Sequence, residues 1–368
     1  ACWQFVQLAA QARLLLDASA RAAWRLLASR RHLLEWTTAA QAQAQARYAL
    51  IDFVRGSALS SAACIALALA SLRSPHPWLG ASLFALWALA PLAAWWSSRT
   101  PTGSASTLEP EHQRYLETLA RDCWRFFEHV VGPEDNHLPP DNLQLEPEPT
   151  VAHRTSPTNI GMYLLACCCA REFGWIGTPA LAGRLAATLD AIDRLDKHQG
   201  HLYNWYDTRN LQKLPPAYVS SVDSGNLAGH LIAVAQACRG FAAEGSDASE
   251  AAALEALAVR CETLCAGMDF SGLYDTKRHL FHIGLRVDDN LLDASYYDLL
   301  ASEARLLSFL AIAKGDVPRR HWMALGRPFL SVGVLPGLKS WSGSMFEYLM
   351  PTLVMAEPEG GLLEVAMR

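Results

Sequence analysis

Two strongly apolar stretches near the start of this 368-residue chain carry no charge, and they limit its architecture more than anything else in it. "SALSSAACIALALASL", Ser57 to Leu72, is 16 residues long, and "WLGASLFALWALAPLAAWWSS", Trp78 to Ser98, is 21. A helix needs roughly 20 apolar residues to cross a hydrocarbon core of ~30 Å. The second run suffices alone; the first, marginal by itself, becomes a span as half of a hairpin with the second. Trp78, Trp95 and Trp96 stand at the ends of the second run, where interfacial aromatics belong. The competing reading is a buried hairpin of a soluble domain. Arg13, Arg21, Arg25, Arg30, Arg31, Arg47 and Arg55 precede the first run. They put that side in the cytoplasm, and a hairpin returns everything after Arg99 to it.

"SSRTPTGSAST", Ser97 to Thr107, is small and polar, and beyond it charges, histidines and aromatics interleave as in a globular domain. The expected organisation is a cytoplasmic helical segment (1–56), a transmembrane hairpin (57–98), a linker (99–107) and a second domain (108–368). The start Ala1-Cys2-Trp3 lacks an initiator methionine and no signal peptide explains it, so the chain reads as a piece of something longer.

Alanine, leucine and arginine are abundant and β-branched runs scarce, which favours an all-α fold. A net charge of −5 is too small and mixed for a nucleic-acid partner. The nine cysteines are odd in number; Cys167, Cys168 and Cys169 sit in an apolar helical run and read as small buried hydrophobes in a reducing compartment. Cys261 and Cys265 lack a histidine to complete a set, so no metal is expected. "GWIG", Gly174 to Gly177, lacks the lysine of a phosphate loop, and no Gly-x-Ser-x-Gly elbow occurs; no cofactor is expected.

In the second domain the periodicity predicts helices over 108–130, 158–173, 178–197, 224–243, 248–267, 298–314 and 343–356, with a short hairpin around Thr276 to His279. Helices joined by long, aromatic, acid-bearing loops suggest an α-hairpin toroid with its site on one rim. In "YNWYDT", Tyr203 to Thr208, aromatic rings stand beside Asn204 and Asp207, a mixture suited to sugar faces and hydroxyls. The same letters also describe a hydrophobic staple with Asp207 and Thr208 making a turn. "YVSSVDSGNLAGHL", Tyr218 to Leu231, places Ser221, Asp223 and Ser224, all capping types, before an apolar helical pattern. One cap needs one residue, and the excess suits a hydroxyl-rich ligand at that helix start.

Glu303, in "DASYYDLLASEARL", has no partner at helical spacing to explain it; surface charge is the alternative. Glu347, in "WSGSMFEYLMP", lies between Phe346 and Tyr348. Desolvation would raise its pKa unless it were paired, so it is either a buried partner for an arginine or part of a site.

Taken together, "SPTNIGMYLLACCCAREFGWIG", "GHLYNWYDTRNLQKLPPAYVSSVDSGNLAGHL", "SYYDLLASEARLLSFLAIAKGDVPRRHW" and "WSGSMFEYLMP" closely resemble the glucoamylase-like domain of cyclic β-1,2-glucan synthases, which are bacterial inner-membrane enzymes. "SRRHLLEWTTAAQAQ" and the two apolar runs resemble the membrane region before that domain, so the resemblance spans about residues 15–355. It implies an (α/α)6 barrel between a glycosyltransferase domain and a phosphorylase-like domain. The barrel closes a linear β-1,2-glucan into a ring by anomer-retaining transglycosylation, chemistry that uses two carboxyl groups about 5 Å apart. The resemblance marks Glu303, in "SEAR", as one of that pair. It marks Trp205, Tyr206, Asp207, Asp223, Asn226, Tyr297, Arg305, Trp341 and Glu347 as glucan contacts.

The second carboxylate belongs to a later "SESGYN"-type segment that this chain does not contain, and "AEPEGGLLEVAMR" departs from the family pattern. The expected fold is therefore a transmembrane hairpin followed by a partial (α/α)6 toroid. As written, the chain is expected to bind β-1,2-glucan without cyclising it, on the cytoplasmic side of the inner membrane. Its partners would be the lipid bilayer and the rest of the parent synthase. The alternative is a membrane-tethered, catalytically dead carbohydrate-binding remnant.

Overall fold

The computed structural model describes residues 2–29, 49–98, 108–244, 247–332 and 335–367. The expected linker 99–107 and Arg30, Arg31 and Arg47 lie outside the described residues. The chain forms two compact units, Ala1–Thr107 and Leu108–Arg368.

In the first unit a helix runs from Leu50 to Ser71, starting before the apolar run and taking in Asp52 and Arg55. It is the one described helix long and apolar enough by itself to cross a membrane, and only 11% of its most apolar window is buried. The second apolar run is two segments, Pro77–Ala88 and Ala90–Ser97, bent by 41°. Pro91 explains the break, since its ring clashes with the carbonyl of Trp87 one turn earlier and it donates no N–H. The two runs lie side by side. The Ser61 hydroxyl donates to the Ala88 carbonyl at 3.2 Å, and a Cβ on Gly80 would come within 2.8 Å of the Ser71 Cβ.

In the second unit, helices occupy Pro110–Val130, Pro157–Glu172, Thr178–Arg194, Ser221–Ala243, Ala248–Gly267 and Arg305–Lys314. Ser221–Ala243 is the central one: it packs against Pro157–Glu172, Ala248–Gly267 and Arg305–Lys314. Glycine permits its closest approach. A Cβ on Gly225 would fall 2.7 Å from the Leu307 Cα, and one on Gly229 would fall 2.7 Å from Leu306 Cδ2. The core around these helices includes Trp124, Tyr163, Leu185, Tyr206, Leu231, Phe270, Phe281 and Leu307.

The expectation of an all-α unit with one β-hairpin needs amending, because the described residues hold six small sheets, all of short strands in the loops. The expected hairpin is present: Tyr274–Asp275 pairs with Leu280–His282, and Tyr296–Tyr297 adds a third strand. Tyr218–Ser220 pairs with Gly284–Arg286 and delivers the chain to the central helix.

Two helix limits differ from the sequence reading, one because of a partner far away in the chain and one because of a local proline. The helix expected over 298–314 begins only at Arg305. Gly326 N–H donates to the Asp298 carbonyl at 2.7 Å and the Leu300 N–H donates to the Gly326 carbonyl at 2.9 Å, so these peptide groups serve a strand-like contact instead. The helix expected over 343–356 is one short α-helix, Met345–Leu349, followed by a 3₁₀ turn, Met350–Leu353, where Pro351 cannot continue the pattern.

Candidate active site

Two helix N-termini meet here. Ser156 caps the Pro157–Glu172 helix by accepting the Asn159 N–H, and Ser220 caps the central helix by accepting the Asp223 N–H, both at 3.2 Å. With Ser220 as the cap, the Asp223 side chain is released from that duty. It points across to Thr158, whose hydroxyl donates to Asp223 Oδ1 at 2.6 Å.

One turn on, fully buried Asn226 divides its amide protons. Nδ2 donates to Thr158 Oγ1 at 3.1 Å and to Glu303 Oε2 at 3.3 Å. Its Oδ1 is buried with no protein partner. On the other side, with the Asn204 amide turned to suit both neighbours, it donates to Asp223 Oδ2 at 3.1 Å and accepts from Trp205 Nε1 at 3.2 Å. One unbroken chain of hydrogen bonds thus joins Trp205, Asn204, Asp223, Thr158, Asn226 and Glu303.

Glu303 is half-buried on the strap just before the Arg305–Lys314 helix. Burial raises its pKa to about 7; the charges of Asp223 and Glu347 add to the rise, and the Asn226 hydrogen bond opposes it. Tyr297 is buried nearby, its ring tilted against Trp341 at 5.5 Å, and Trp341 is 44% exposed. Burial raises the Tyr297 hydroxyl far above its ordinary value, with Glu303 and Asp223 adding to it, so it stays protonated at any working pH. Trp205 is half-buried, with the Arg154 guanidinium 4.9 Å from its ring centroid. Arg154 in turn bonds Asp141 Oδ2 at 2.9 Å, and Asn159 donates to Asp141 Oδ1 at 3.3 Å.

Glu347 takes the second of the two roles the sequence left open only in part. Its carboxylate is wrapped by the Ser342 N–H and hydroxyl, the Gly343 N–H and the Ser344 N–H, all at 2.9–3.2 Å. Burial pushes its pKa up, but these donors outweigh burial and hold it below the usual carboxylate range. Its partners are therefore backbone and serine groups rather than an arginine. The carboxylate closes a capping box with Ser344 and fixes the loop that carries Trp341.

Three residues expected to touch glucan are committed elsewhere. Arg305 is buried: its guanidinium bonds Glu357 at 2.8 Å, the Glu347 carbonyl at 2.8 Å and the Tyr348 carbonyl at 2.6 Å. It latches the Glu347 segment to the helix that follows Glu303, and has no donor facing open space. Tyr206 is fully buried, accepting the Tyr203 N–H at 2.7 Å and donating to the Asp196 carbonyl at 2.5 Å. Asp207 accepts the N–H groups of Arg209 and Asn210 at 2.9 and 3.2 Å, which is the turn its neighbours suggested.

The structure gathers Glu303, Asn226, Asp223 and Trp205 in one network, with Tyr297, Trp341 and Glu347 around it. Asn204, noted beside Asp207 in the "YNWYDT" loop, joins them, as do Thr158 and Arg154, which had not been singled out. The only sequence sign of Thr158 was its place in the first turn of a helix, after "SP". Among the described residues no group of three or more His, Cys, Asp or Glu is placed to hold a metal ion.

No known family profile matches the chain. The cyclic β-(1,2)-glucan synthase NdvB of Rhizobium meliloti (strain 1021) is 36% identical over 479 aligned residues, which take in 98% of this chain and 17% of that protein. The chain thus spans under a fifth of its curated relative's length. A glucoamylase-type protein of Bacteroides uniformis superposes with a TM-score of 0.54 at 12% identity, over 71% of this chain and 64% of that one. The endo-β-1,2-glucanase of Chitinophaga pinensis, solved with sophorotriose and glucose, gives 0.51 at 15% identity, over 67% and 60%. The resemblance carried by the four sequence blocks is borne out: the chain is mostly helical with a glucoamylase-like fold, and nearly all of it is similar to one segment of a cyclic β-(1,2)-glucan synthase.

Proposed function

We propose that the second unit binds β-1,2-glucan and that, in a full-length synthase, it closes the glucan into a ring by anomer-retaining transglycosylation. The observation that carries this is Glu303, half-buried with a pKa of about 7 and held by Asn226 beside the Tyr297–Trp341 pair. A carboxyl group poised near neutrality can give its proton to the departing glycosidic oxygen. A second carboxyl group of the full-length synthase would bond the anomeric carbon as that oxygen leaves; Glu303 then takes a proton from the incoming sugar hydroxyl, at the far end of the same chain, as it displaces that carboxylate. Trp341 and Trp205 offer faces to sugar rings and half-buried Asp223 offers polar atoms to hydroxyls, with Asn226 buried behind them holding Glu303. Glu347 and Arg305 act behind them, holding the Trp341 loop.

The first unit is read as the membrane anchor of a bacterial inner-membrane enzyme, with the second unit on the cytoplasmic side. The apolar Leu50–Ser71 helix, left uncovered over most of its window, supports contact with a lipid bilayer. The rest of the parent synthase is its other partner.

A second reading, a membrane-tethered carbohydrate-binding unit without catalysis, draws on the engagement of the neighbouring carboxylates. Asp223 is held by Thr158 and Asn204, and Glu347 by its ring of donors, so neither is free to attack an anomeric carbon.

Calorimetry of the full chain with linear β-1,2-glucan separates these readings from no role in glucan chemistry. Binding that prefers β-1,2 over α-1,4 oligosaccharides is expected; equal or absent binding of both overturns the glucan assignment. In a full-length synthase Glu303→Gln should abolish ring formation, and normal ring formation would leave the binding-only reading.

A further inference from the structure

Thr158 decides which way the protons run in this network. Its hydroxyl accepts from Asn226 Nδ2 at 3.1 Å and donates its single proton to Asp223 Oδ1 at 2.6 Å. An amide nitrogen can only donate, so the order Asn226 to Thr158 to Asp223 has one direction. That order also fixes the Asn226 amide, with Nδ2 toward Glu303 at 3.3 Å and Oδ1 left buried without a partner. An inverted amide would turn Oδ1 toward the Thr158 oxygen, whose one proton already goes to Asp223, setting acceptor against acceptor.

We propose that Thr158 is a positioning residue that orients Asn226 and so sets the proton affinity of Glu303. The proposal does not rest on the glucan-site reading, because the proton order follows from distances within the protein. The charged and titratable groups facing Glu303 are Asp223 on the central helix, Glu347 on the Trp341 segment and Tyr297 on its strand. The first two are anions that favour a protonated Glu303, and the Asn226 hydrogen bond is the contact that favours the ionised form. Removing the Thr158 hydroxyl frees Asn226 to rotate away, so Glu303 should hold its proton to higher pH.

The test is a carbon-13 NMR titration of glutamate-labelled full chain in detergent micelles, with Glu303→Gln identifying the resonance. Thr158→Val should move the Glu303 midpoint upward by about one pH unit. Thr158→Ser, which keeps the hydroxyl, should hold the wild-type midpoint. If the valine variant fails to fold, Thr158→Ala removes the same hydroxyl without added bulk and should give the same shift. A wild-type midpoint in folded Thr158→Val or Thr158→Ala overturns the proposal, as does a shift of equal size in Thr158→Ser.

Discussion

The Asn226 amide donates to Glu303 Oε2 across 3.3 Å, though the two residues lie 77 positions apart in the chain. Asn226 stands on the central helix and Glu303 on a strap outside any helix, so their meeting depends on how closely that helix packs against Arg305–Lys314. The properties of the site can therefore be tested through packing and ionisation as well as through ligands.

Glu303 should lower stability as it ionises. Its pKa is about 7 in the folded chain, against roughly 4.3 for a free glutamate. The native state therefore binds the proton more tightly. The stability this gives is full below about pH 4.3 and is lost as pH rises through about 7. Glu303→Gln should raise the melting temperature at pH 8 by about 3 °C or more, with no such gain at pH 4. Scanning calorimetry at the two pH values checks it, and an equal effect at both would contradict the burial of this carboxyl.

Glu347 should behave with the opposite sign. Its donors hold it below the usual carboxylate range, so its contribution is present above about pH 4.3 and fades as pH falls through its depressed folded value. Glu347→Gln should cost about 3 kcal/mol at pH 7, because several N–H groups lose a charged acceptor. Urea unfolding at pH 7 measures the loss. A cost near zero would mean that the Trp341 loop is held by something else.

Gly225 leaves no room for a methyl group, since its Cβ would lie 2.7 Å from the Leu307 Cα. Gly225→Ala should destabilise the second unit by about 2 kcal/mol. By pushing Arg305–Lys314 outward it should also lengthen the Asn226–Glu303 contact and lower the affinity for β-1,2-glucan. Chemical unfolding and calorimetry read the two effects; tighter binding would run against the arrangement described here.

The aromatic residues should separate by exposure. Trp341→Ala should weaken binding of β-1,2-gluco-oligosaccharides about tenfold, the loss of one stacking contact. Tyr206→Phe should lower stability by about 1 kcal/mol through the hydroxyl's two lost hydrogen bonds, and leave the dissociation constant within about twofold. A large affinity loss in Tyr206→Phe would return that ring to the binding surface.

Helices with a local cause were readable from the residues alone: Ala248–Gly267 and Thr178–Arg194 lie close to their expected limits, and the turn at Thr276 to His279 falls where the loop composition put it. Apart from the break at Pro351, whose cause stands within the stretch itself, what escaped has distant causes. Residues 298–304 look helical by composition, and only the pairing with Gly326 makes them a strap. Asp223 looked like one of several caps until Ser220 was seen to take that role. Tyr206 and Arg305 have the letters of a binding surface, and burial alone turns one into core and the other into a latch. Thr158 could not be picked out at all, because its meaning lies in Asp223 and Asn226, 65 and 68 residues away.

The strap that carries Glu303 is fastened at both ends, by the Asp298 and Leu300 bonds to Gly326 and by the helix that starts at Arg305. A segment pinned this way has few conformations to lose, so Glu303 meets a ligand already in place and any adjusting falls to the ligand. Amide exchange should carry that signature. The N–H groups of Leu300 and Gly326 should exchange as slowly as those inside the Arg305–Lys314 helix, whether or not sugar is present, despite lying in what composition alone would class as a loop.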